Sequence, residues 1–272
     1  MTDFERYSRV VDDSLMWDKT LSSHFFHVCE FLDITGKNGV IQTPAKLKFG
    51  RRRIEFVGFN LTEDGICPTD EMIRSIKEFP RPSNLTGVRS FFGLIEQVAY
   101  TFSKAHSMHP FRQLLSSKSD FYWDENLQKA FEIAREMIAD NISEGVKTYI
   151  PGLKTALVSD WSITGVGYIL AQKHCQCSGI SMECCRTGWK VISMGSRFLS
   201  KAEKNYSAVE GELLGLTWAL ERMKFWTIGN KELFIFTDHK PLIGMLTNKD
   251  FDSISNPRLS RLLEKSMRWG FK

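Results

Sequence analysis

From about residue 149 onward, short β-rich runs alternate with helical periodicity, and this order constrains the fold more than any other feature. Three runs predict strands, at 155–159, 165–171 and 190–198, and 207–225 predicts a long helix. The run that follows, 232–237, is nearly all apolar and suits a strand buried on both faces. Three strands, a helix and a buried strand predict a mixed α/β (α+β) fold, in which helices cover a mixed sheet.

Helical capping signals dominate the middle of the chain. Thr69-Asp70 predicts a helix that ends before Pro80, and Ser83-Asn84 predicts the start of the next. A third helix is predicted over 124–140, where apolar residues recur at helical spacing. This part of the chain is therefore expected to form a compact helical module.

The first segment is expected to contain strands, a helix and a hairpin. Asp12 and Asp13 interrupt an apolar run, so they are placed at a turn between two short strands. Residues 21–33 have helical periodicity, and glycines follow them. A hairpin is then predicted between 47–49 and 54–59, with Gly50-Arg51 as its turn.

Composition narrows the class of protein. With 42% hydrophobic and 25% charged residues among 272, the chain has the composition of a folded protein rather than a disordered one. The net charge of +4 favours a polyanionic partner only weakly. No run approaches the ~20 apolar residues needed to span a bilayer. The polar, charged N-terminus does not read as a secretory signal, so we expect an intracellular protein, in the cytoplasm or nucleus.

Three acidic residues lie at the ends of predicted strands or near the start of the long helix, where their carboxylates could meet and bind a metal ion. Asp160 and Asp238 end predicted strands, and Glu212 lies in the first turns of the long helix. At ~100° per residue, Glu212 falls about 60° from the centre of the helix's apolar stripe, and Glu210 about 100° away on the other side. Converging carboxylates repel each other unless a cation neutralises them, and Mg²⁺ prefers such oxygen ligands. Acids at strand ends are also common as solvated side chains, so spacing alone leaves both readings open.

Longer motifs surround these acids: Ser159-Asp160-Trp161-Ser162, Gly165-Val166-Gly167-Tyr168, Ser196-Arg197-Phe198-Leu199, Tyr206-Ser207-Ala208-Val209-Glu210-Gly211-Glu212 and Phe236-Thr237-Asp238-His239-Lys240-Pro241. Together they resemble the RNase H domain of gypsy-type LTR retrotransposons. The resemblance implies that Asp160, Glu212 and Asp238 are catalytic acids that bind Mg²⁺ or Mn²⁺. It also implies an RNase H-type endonuclease that cleaves the RNA strand of an RNA–DNA hybrid.

Upstream motifs resemble a reverse transcriptase. Val11-Asp12-Asp13 is similar to the paired aspartates of the palm, which implies that Asp12 and Asp13 bind Mg²⁺. The run from Glu55 to Phe59, which contains Phe56 and Gly58, is similar to the hairpin that grips the primer, and the run from Gly87 to Leu94 is similar to the thumb. We therefore expect the end of a palm at 1–66, a helical thumb or connection at 67–145 and an RNase H-like domain at 146–272.

A basic stretch near the primer-grip motif is a candidate nucleic-acid surface. Lys48, Arg51, Arg52 and Arg53 lie in a run, 37–53, that has six basic residues and no acid. Contacts to phosphates would make binding salt-dependent. The alternative is a solvated hairpin, and the palm resemblance favours contact with an RNA–DNA hybrid or a primer–template duplex.

Four cysteines are close together in the sequence, and zinc is not expected there. Cys175, Cys177, Cys184 and Cys185 match no standard finger spacing, and adjacent cysteines do not easily share a tetrahedral site. A loop with free thiols is the favoured interpretation. A lone histidine next to Asp238, His239, is interpreted as a hydrogen-bonded structural residue.

Both resemblances are incomplete. The nuclease family has a fourth acid at the start of a closing helix, after a fifth strand; 267–272 looks like the opening of that strand, so the domain is expected to be truncated and to lack its final helix. Metal-dependent hydrolysis of hybrid RNA is the expected function, and an inactive nucleic-acid-binding module or a genomic relic is the alternative.

DNA synthesis is not expected from this chain. A palm needs a further aspartate on an earlier strand and fingers that bind the nucleotide, and the chain supplies neither. In a primer-extension assay, we expect the purified chain to incorporate no more nucleotide than an Asp12→Asn variant. Extension above the level of that variant would contradict this expectation.

Overall fold

The computed structural model describes residues 6–101, 108–115, 120–182, 184–185, 188–248 and 254–272. The chain divides into two compact units, Met1–Thr69 and Asp70–Lys272. In the described residues, no helix is long and apolar enough to cross a bilayer.

The first unit begins with a tight hairpin followed by a helix. Strands β1 (Tyr7–Val10) and β2 (Asp13–Met16) pair antiparallel, with Val10 opposite Asp13. The predicted turn between two short strands is confirmed for Asp12, whereas Asp13 begins the second strand. Helix α1 (Leu21–Lys37) starts at the N-cap Thr20, whose hydroxyl accepts a hydrogen bond from the Ser23 amide.

A three-stranded antiparallel meander completes this unit, and it corrects the predicted hairpin. Its strands are β3 (Arg53–Phe56), β4 (Phe59–Thr62) and β5 (Gly65–Pro68). The β3–β4 turn is Val57-Gly58, with φ of 52° and 80°, and not Gly50-Arg51. Both turn residues need positive φ in such a two-residue loop. The predicted turn was placed at Gly50 because glycine adopts positive φ readily. The observed turn instead places valine, a β-branched residue, in the left-handed region.

Three helices follow at the predicted places in the second unit. They are α2 (Asp70–Lys77), α3 (Leu85–Val98) and α4 (Glu125–Ile142). Asn84 and Asp124 cap the second and third, each accepting a hydrogen bond from a backbone amide at 2.8 Å. The rings of Phe91 and Phe131 lie 5.0 Å apart at the centre of the helical layer. The predicted helices are therefore confirmed, and packing accounts for their aromatic residues.

The second unit also contains the predicted mixed sheet. Its strands β7 (Thr155–Trp161), β8 (Gly165–Lys173), β9 (Trp189–Phe198) and β10 (Leu233–Phe236) lie in the order β10-β7-β8-β9; the two-residue strand β6 (Val146–Lys147) precedes them. Only the β10–β7 pair of this sheet is parallel. Further helices are α5 (Ala208–Arg222), α6 (Lys224–Thr227), α7 (Lys240–Asn248) and α8 (Pro257–Ser266). The predicted long helix is thus interrupted at Met223, its C-cap.

Helix α5 covers the sheet and forms the main core. Leu213, Leu216 and Leu220 on this helix pack with Leu157 and Leu170 of the sheet, and all five are fully buried. Near the C-terminus, the backbone of Lys272 forms hydrogen bonds with Leu233 and Ile235, at 2.9 and 3.1 Å. The start of the expected fifth strand therefore pairs with β10, at the edge of the sheet.

The helical segment and the sheet lie in the same compact unit. The Met194 amide of β9 donates to the carbonyl of Tyr100, at 2.9 Å, which ties the helical layer to the sheet. The structure places a boundary after Thr69. The division into palm, thumb and RNase H-like segments remains a prediction.

Replacing Val57 with glycine should stabilise the first unit. A left-handed conformation costs an L-residue roughly 1–2 kcal/mol, which glycine avoids, so we expect a net gain of about 1 kcal/mol in the free energy of unfolding. Urea denaturation followed by circular dichroism would measure it. Val40→Gly is the control, because Val40 is also half exposed but has no positive φ. A loss of stability for Val57→Gly as large as that of the control would contradict the turn geometry.

Candidate active site

Two of the three predicted acids are brought to one edge of the sheet by its parallel strand pair. Val158 of β7 lies opposite Phe236 of β10. Asp160 and Asp238 each follow this pair by two residues, and parallel strands end at the same edge. Both aspartates are exposed. Their carboxylates therefore reach solvent where a substrate could approach.

The third acid arrives on helix α5, which crosses β7 at very short distance. A Cβ atom on Gly211 would lie 2.3 Å from the ring of Trp161, and one on Gly215 would lie 3.5 Å from the Asp160 carbonyl oxygen. A side chain at 211 would therefore push the helix away from the strand. The missing side chain allows the next residue, Glu212, to meet the end of β7.

Burial and like charge act together on Glu212. Its side chain is 9% exposed. Burial first, and then repulsion from Asp160 and Asp238, raise the pKa of Glu212 to about 7, although a hydrogen bond from the Trp161 amide acts in the opposite direction. Because both aspartates act on Glu212, the structure brings the three predicted acids into one electrostatic site.

This donor set fits a hard divalent cation by its chemistry. It offers carboxylate oxygens, and its mutual repulsion would be relieved by positive charge. Among the described residues, four cysteines have ligand atoms that all lie within 4.8 Å of one another, whereas the three carboxylates are not gathered as closely. Asp160 and Asp238 are exposed, so rotation of their side chains can bring the oxygens together.

Glu210, the other acid on this helix, has a structural role. Its carboxylate accepts a hydrogen bond from the Ser207 amide, and its own amide donates to the Ser207 hydroxyl, which completes a capping box. It also accepts from Asn256 and forms a 2.7 Å ion pair with Arg258. The Ser207 amide, Asn256 and Arg258 together lower the pKa of Glu210 to about 2. The choice of Glu212 over Glu210 from the helical angle agrees with this arrangement.

The other predicted site residues lie in the first unit. Asp12 and Asp13 are exposed at the first hairpin turn, and their metal-binding role remains a prediction. Lys48, Arg51, Arg52 and Arg53 are exposed, while Phe56 and Gly58 are partly buried. Contact of these six residues with nucleic acid also remains a prediction.

Two further features involve charged or titratable groups, and sequence analysis missed the first of them. The first is a buried carboxylate, Asp18, which accepts from Arg6, His24 and His27. Burial opposes ionisation of Asp18, but these three partners outweigh it and lower its pKa. The second is His239, whose Nε2 atom is buried without a partner among the described residues. His239 was interpreted as a hydrogen-bonded structural residue, and its backbone amide does donate to the Thr237 hydroxyl, at 3.1 Å.

Glutamine at position 212 should stabilise the cation-free protein at high pH. The raised pKa means that the folded state holds a proton that the unfolded state releases between the ordinary value of 4.5 and about 7. Stability from this group is therefore complete below that range and declines as pH rises through it. In EDTA, Glu212→Gln should unfold at higher urea than the wild type at about pH 8 and at similar urea at about pH 4.

The control for this prediction is Glu221→Gln on the same helix. Glu221 is partly exposed and forms a 3.5 Å ion pair with Arg268, so its replacement should give no gain at high pH. Equal stability of the wild type and Glu212→Gln at high pH would show that the three carboxylates do not share a site.

Comparison with known proteins agrees with this arrangement. Residues 151–268 match the family model of the RNase H-like domain found in reverse transcriptase. Over 254 residues, 88% of this chain, the sequence is 29% identical to the retrovirus-related Pol polyprotein from transposon gypsy of Drosophila melanogaster. It is 28% identical, over 92% of the chain, to the transposon Tf2-3 polyprotein of Schizosaccharomyces pombe. The chain spans 23% and 18% of these relatives, respectively.

Solved structures show the same fold. The foamy viral protease–reverse transcriptase in complex with double-stranded DNA superimposes with a TM-score of 0.73 at 17% identity, covering 98% of this chain and 54% of that one. The foamy viral enzyme in complex with an RNA/DNA hybrid gives a TM-score of 0.71 at 16% identity, covering 97% of this chain and 35% of that one. Residues 151–268 are therefore similar to the RNase H-like domain found in reverse transcriptase, and the chain as a whole is similar to part of the Pol polyproteins of retrotransposons.

Proposed function

We propose that the RNase H-like domain hydrolyses the RNA strand of RNA–DNA hybrids in a reaction that requires Mg²⁺ or Mn²⁺. The observation that carries this proposal is that the parallel β7–β10 pair places Asp160 and Asp238 at one sheet edge, where the close crossing of α5 places Glu212. The raised pKa of Glu212, to which both aspartates contribute, supports it. Burying a carboxylate next to like charges is unfavourable, so the arrangement is typical of a functional site.

The three acids have different parts in this proposal. Asp160 and Asp238 are exposed, so they can hold a cation and face the phosphodiester. Glu212 is buried and oriented by the Trp161 amide, so it fixes the inner side of the site. When bound, divalent cations activate a water molecule and stabilise the leaving oxygen in phosphodiester hydrolysis. Above about pH 7 Glu212 is ionised and ready to act as a ligand.

Several features support a duplex as the substrate. The foamy viral proteins of similar fold are described in complexes with double-stranded DNA and with an RNA/DNA hybrid. In this chain, Lys48 and Arg51 to Arg53 provide exposed positive charge in the first unit. Cations that contact phosphates position a duplex without reading its sequence. We propose that these residues, with Phe56 and Gly58, contact an RNA–DNA hybrid or a primer–template duplex.

A cleavage assay with Asp160→Asn tests the proposed activity. With labelled RNA in a hybrid and Mg²⁺ or Mn²⁺ present, the wild type should cleave the RNA strand. Even loss of a group behind a metal ligand costs 10–100-fold, so loss of the ligand itself should lower the rate by at least about 100-fold. Asparagine has nearly the same shape as aspartate, so the fold should be retained.

Glu221→Gln is the matched control, because it also removes one carboxylate from the RNase H-like domain. It should cleave at the wild-type rate. Unchanged cleavage by Asp160→Asn would refute the assignment of the site. If the wild type binds the hybrid in a fluorescence anisotropy assay but does not cleave it, the chain is a binding module, as in the alternative considered from sequence.

A further inference from the structure

The loop that joins β8 to β9 gathers four thiols at one place. Cys175 and Cys177 follow the end of β8, and Cys184 and Cys185 precede the start of β9. Their four sulfur atoms all lie within 4.8 Å of one another. The sulfur atoms of Cys175 and Cys184 are 3.5 Å apart. Cysteines that are separated by up to ten positions in sequence therefore share one small volume.

A glycine leaves room for this cluster. A Cβ atom on Gly188 would lie 2.8 Å from the sulfur atoms of both Cys175 and Cys185 and 3.0 Å from that of Cys184. Three thiols thus point toward the same stretch of backbone, and a larger residue would displace them. This packing is independent of the distances among the sulfur atoms, and it indicates a built site.

Hydrogen bonds from the two strand ends hold the loop around the cluster. The His174 amide donates to the Gly188 carbonyl at 2.7 Å, and the Gly188 amide donates to the Cys185 carbonyl at 3.2 Å. The ammonium group of Lys173, which is buried, donates to the carbonyls of Cys177 and Gly179.

The separations suit a tetrahedral metal ion better than a disulfide. Zn–S bonds of about 2.3 Å in a tetrahedral site place the sulfur atoms about 3.8 Å apart. A disulfide requires about 2.05 Å. The 3.5 Å between Cys175 and Cys184 is therefore close to the first geometry and far from the second. Four thiolates are also soft ligands, which favours zinc over magnesium.

We propose that Cys175, Cys177, Cys184 and Cys185 bind one Zn²⁺ ion, which fastens the loop between β8 and β9. Zinc was not expected from the sequence because the spacing matches no standard finger and adjacent cysteines do not easily share one tetrahedral site. The loop nevertheless brings the sulfur atoms of Cys184 and Cys185 close to the same position at Gly188. Four protein ligands leave no open position, so this zinc is structural.

The zinc site is separate from the carboxylate site. Asp160 pairs with Gly167 of β8, whereas the cysteines lie beyond Lys173 at the other end of that strand. Six residues of β-strand extend for about 20 Å, so a different ion is expected at each end. The proposal therefore does not depend on nuclease activity.

Zinc content of the full chain tests the proposal. Protein purified under reducing conditions with zinc and then dialysed should contain about one zinc ion per chain by mass spectrometry. Cys177→Ser and Cys184→Ser should each lower that content severalfold. Cys29→Ser is the matched control and should retain it, because Cys29 lies in α1 of the first unit.

Alkylation of the wild type keeps the test valid if the variants do not fold. In the zinc-loaded native protein, iodoacetamide should label Cys29 and Cys67 and spare the four cluster cysteines. A strong zinc chelator should expose all six. Zinc below about a tenth of an ion per chain, zinc retained by the variants, or intramolecular disulfides among the four cysteines would each overturn the proposal.

Discussion

The close crossing of helix α5 over strand β7 is the contact on which the candidate active site of the second unit depends. Gly211 allows the helix to rest against the ring of Trp161, and this sets the depth at which Glu212 enters the sheet edge. The same helix carries the leucines of the main core, so packing and site geometry share one element. At its start, the capping box and the Arg258 ion pair of Glu210 fix the helix along its axis. Burial of the core leucines thus stabilises the fold enough to hold three mutually repelling carboxylates close together.

Much of this architecture was predictable because it follows from periodicity. The apolar run 232–237 indicated a buried strand, and the leucine stripe of α5 distinguished Glu212 from Glu210 by angle alone. Both signals reflect burial of one or more faces of an element, which makes apolar residues recur at regular intervals along the sequence. The meeting of Asp160 and Asp238 additionally required the parallel pairing of β7 and β10, whereas the order of elements predicted only a mixed sheet.

The remaining features depend on single contacts that leave no repeated pattern. Val57-Gly58 forms the β3–β4 turn although valine disfavours positive φ, and the cross-strand pair of Phe56 and Phe59 closes it. The four thiols meet because of one loop path over Gly188, which cysteine spacing did not reveal. Asp18, which lies between β2 and α1, accepts from His24 and His27 of α1 and from Arg6, which precedes β1. Such contacts are specified by three-dimensional context.

The parallel pairing of β7 with β10 brings Asp160 and Asp238 to one sheet edge, although 78 positions separate them along the chain. During synthesis, Asp160 leaves the ribosome well before Asp238 is made, and no shorter product can assemble the three carboxylates. The loop with four cysteines lies between them and joins strands that are neighbours in sequence, so it can close first. Translation would therefore deliver a folded β7–β8–β9 sheet before the three carboxylates can meet.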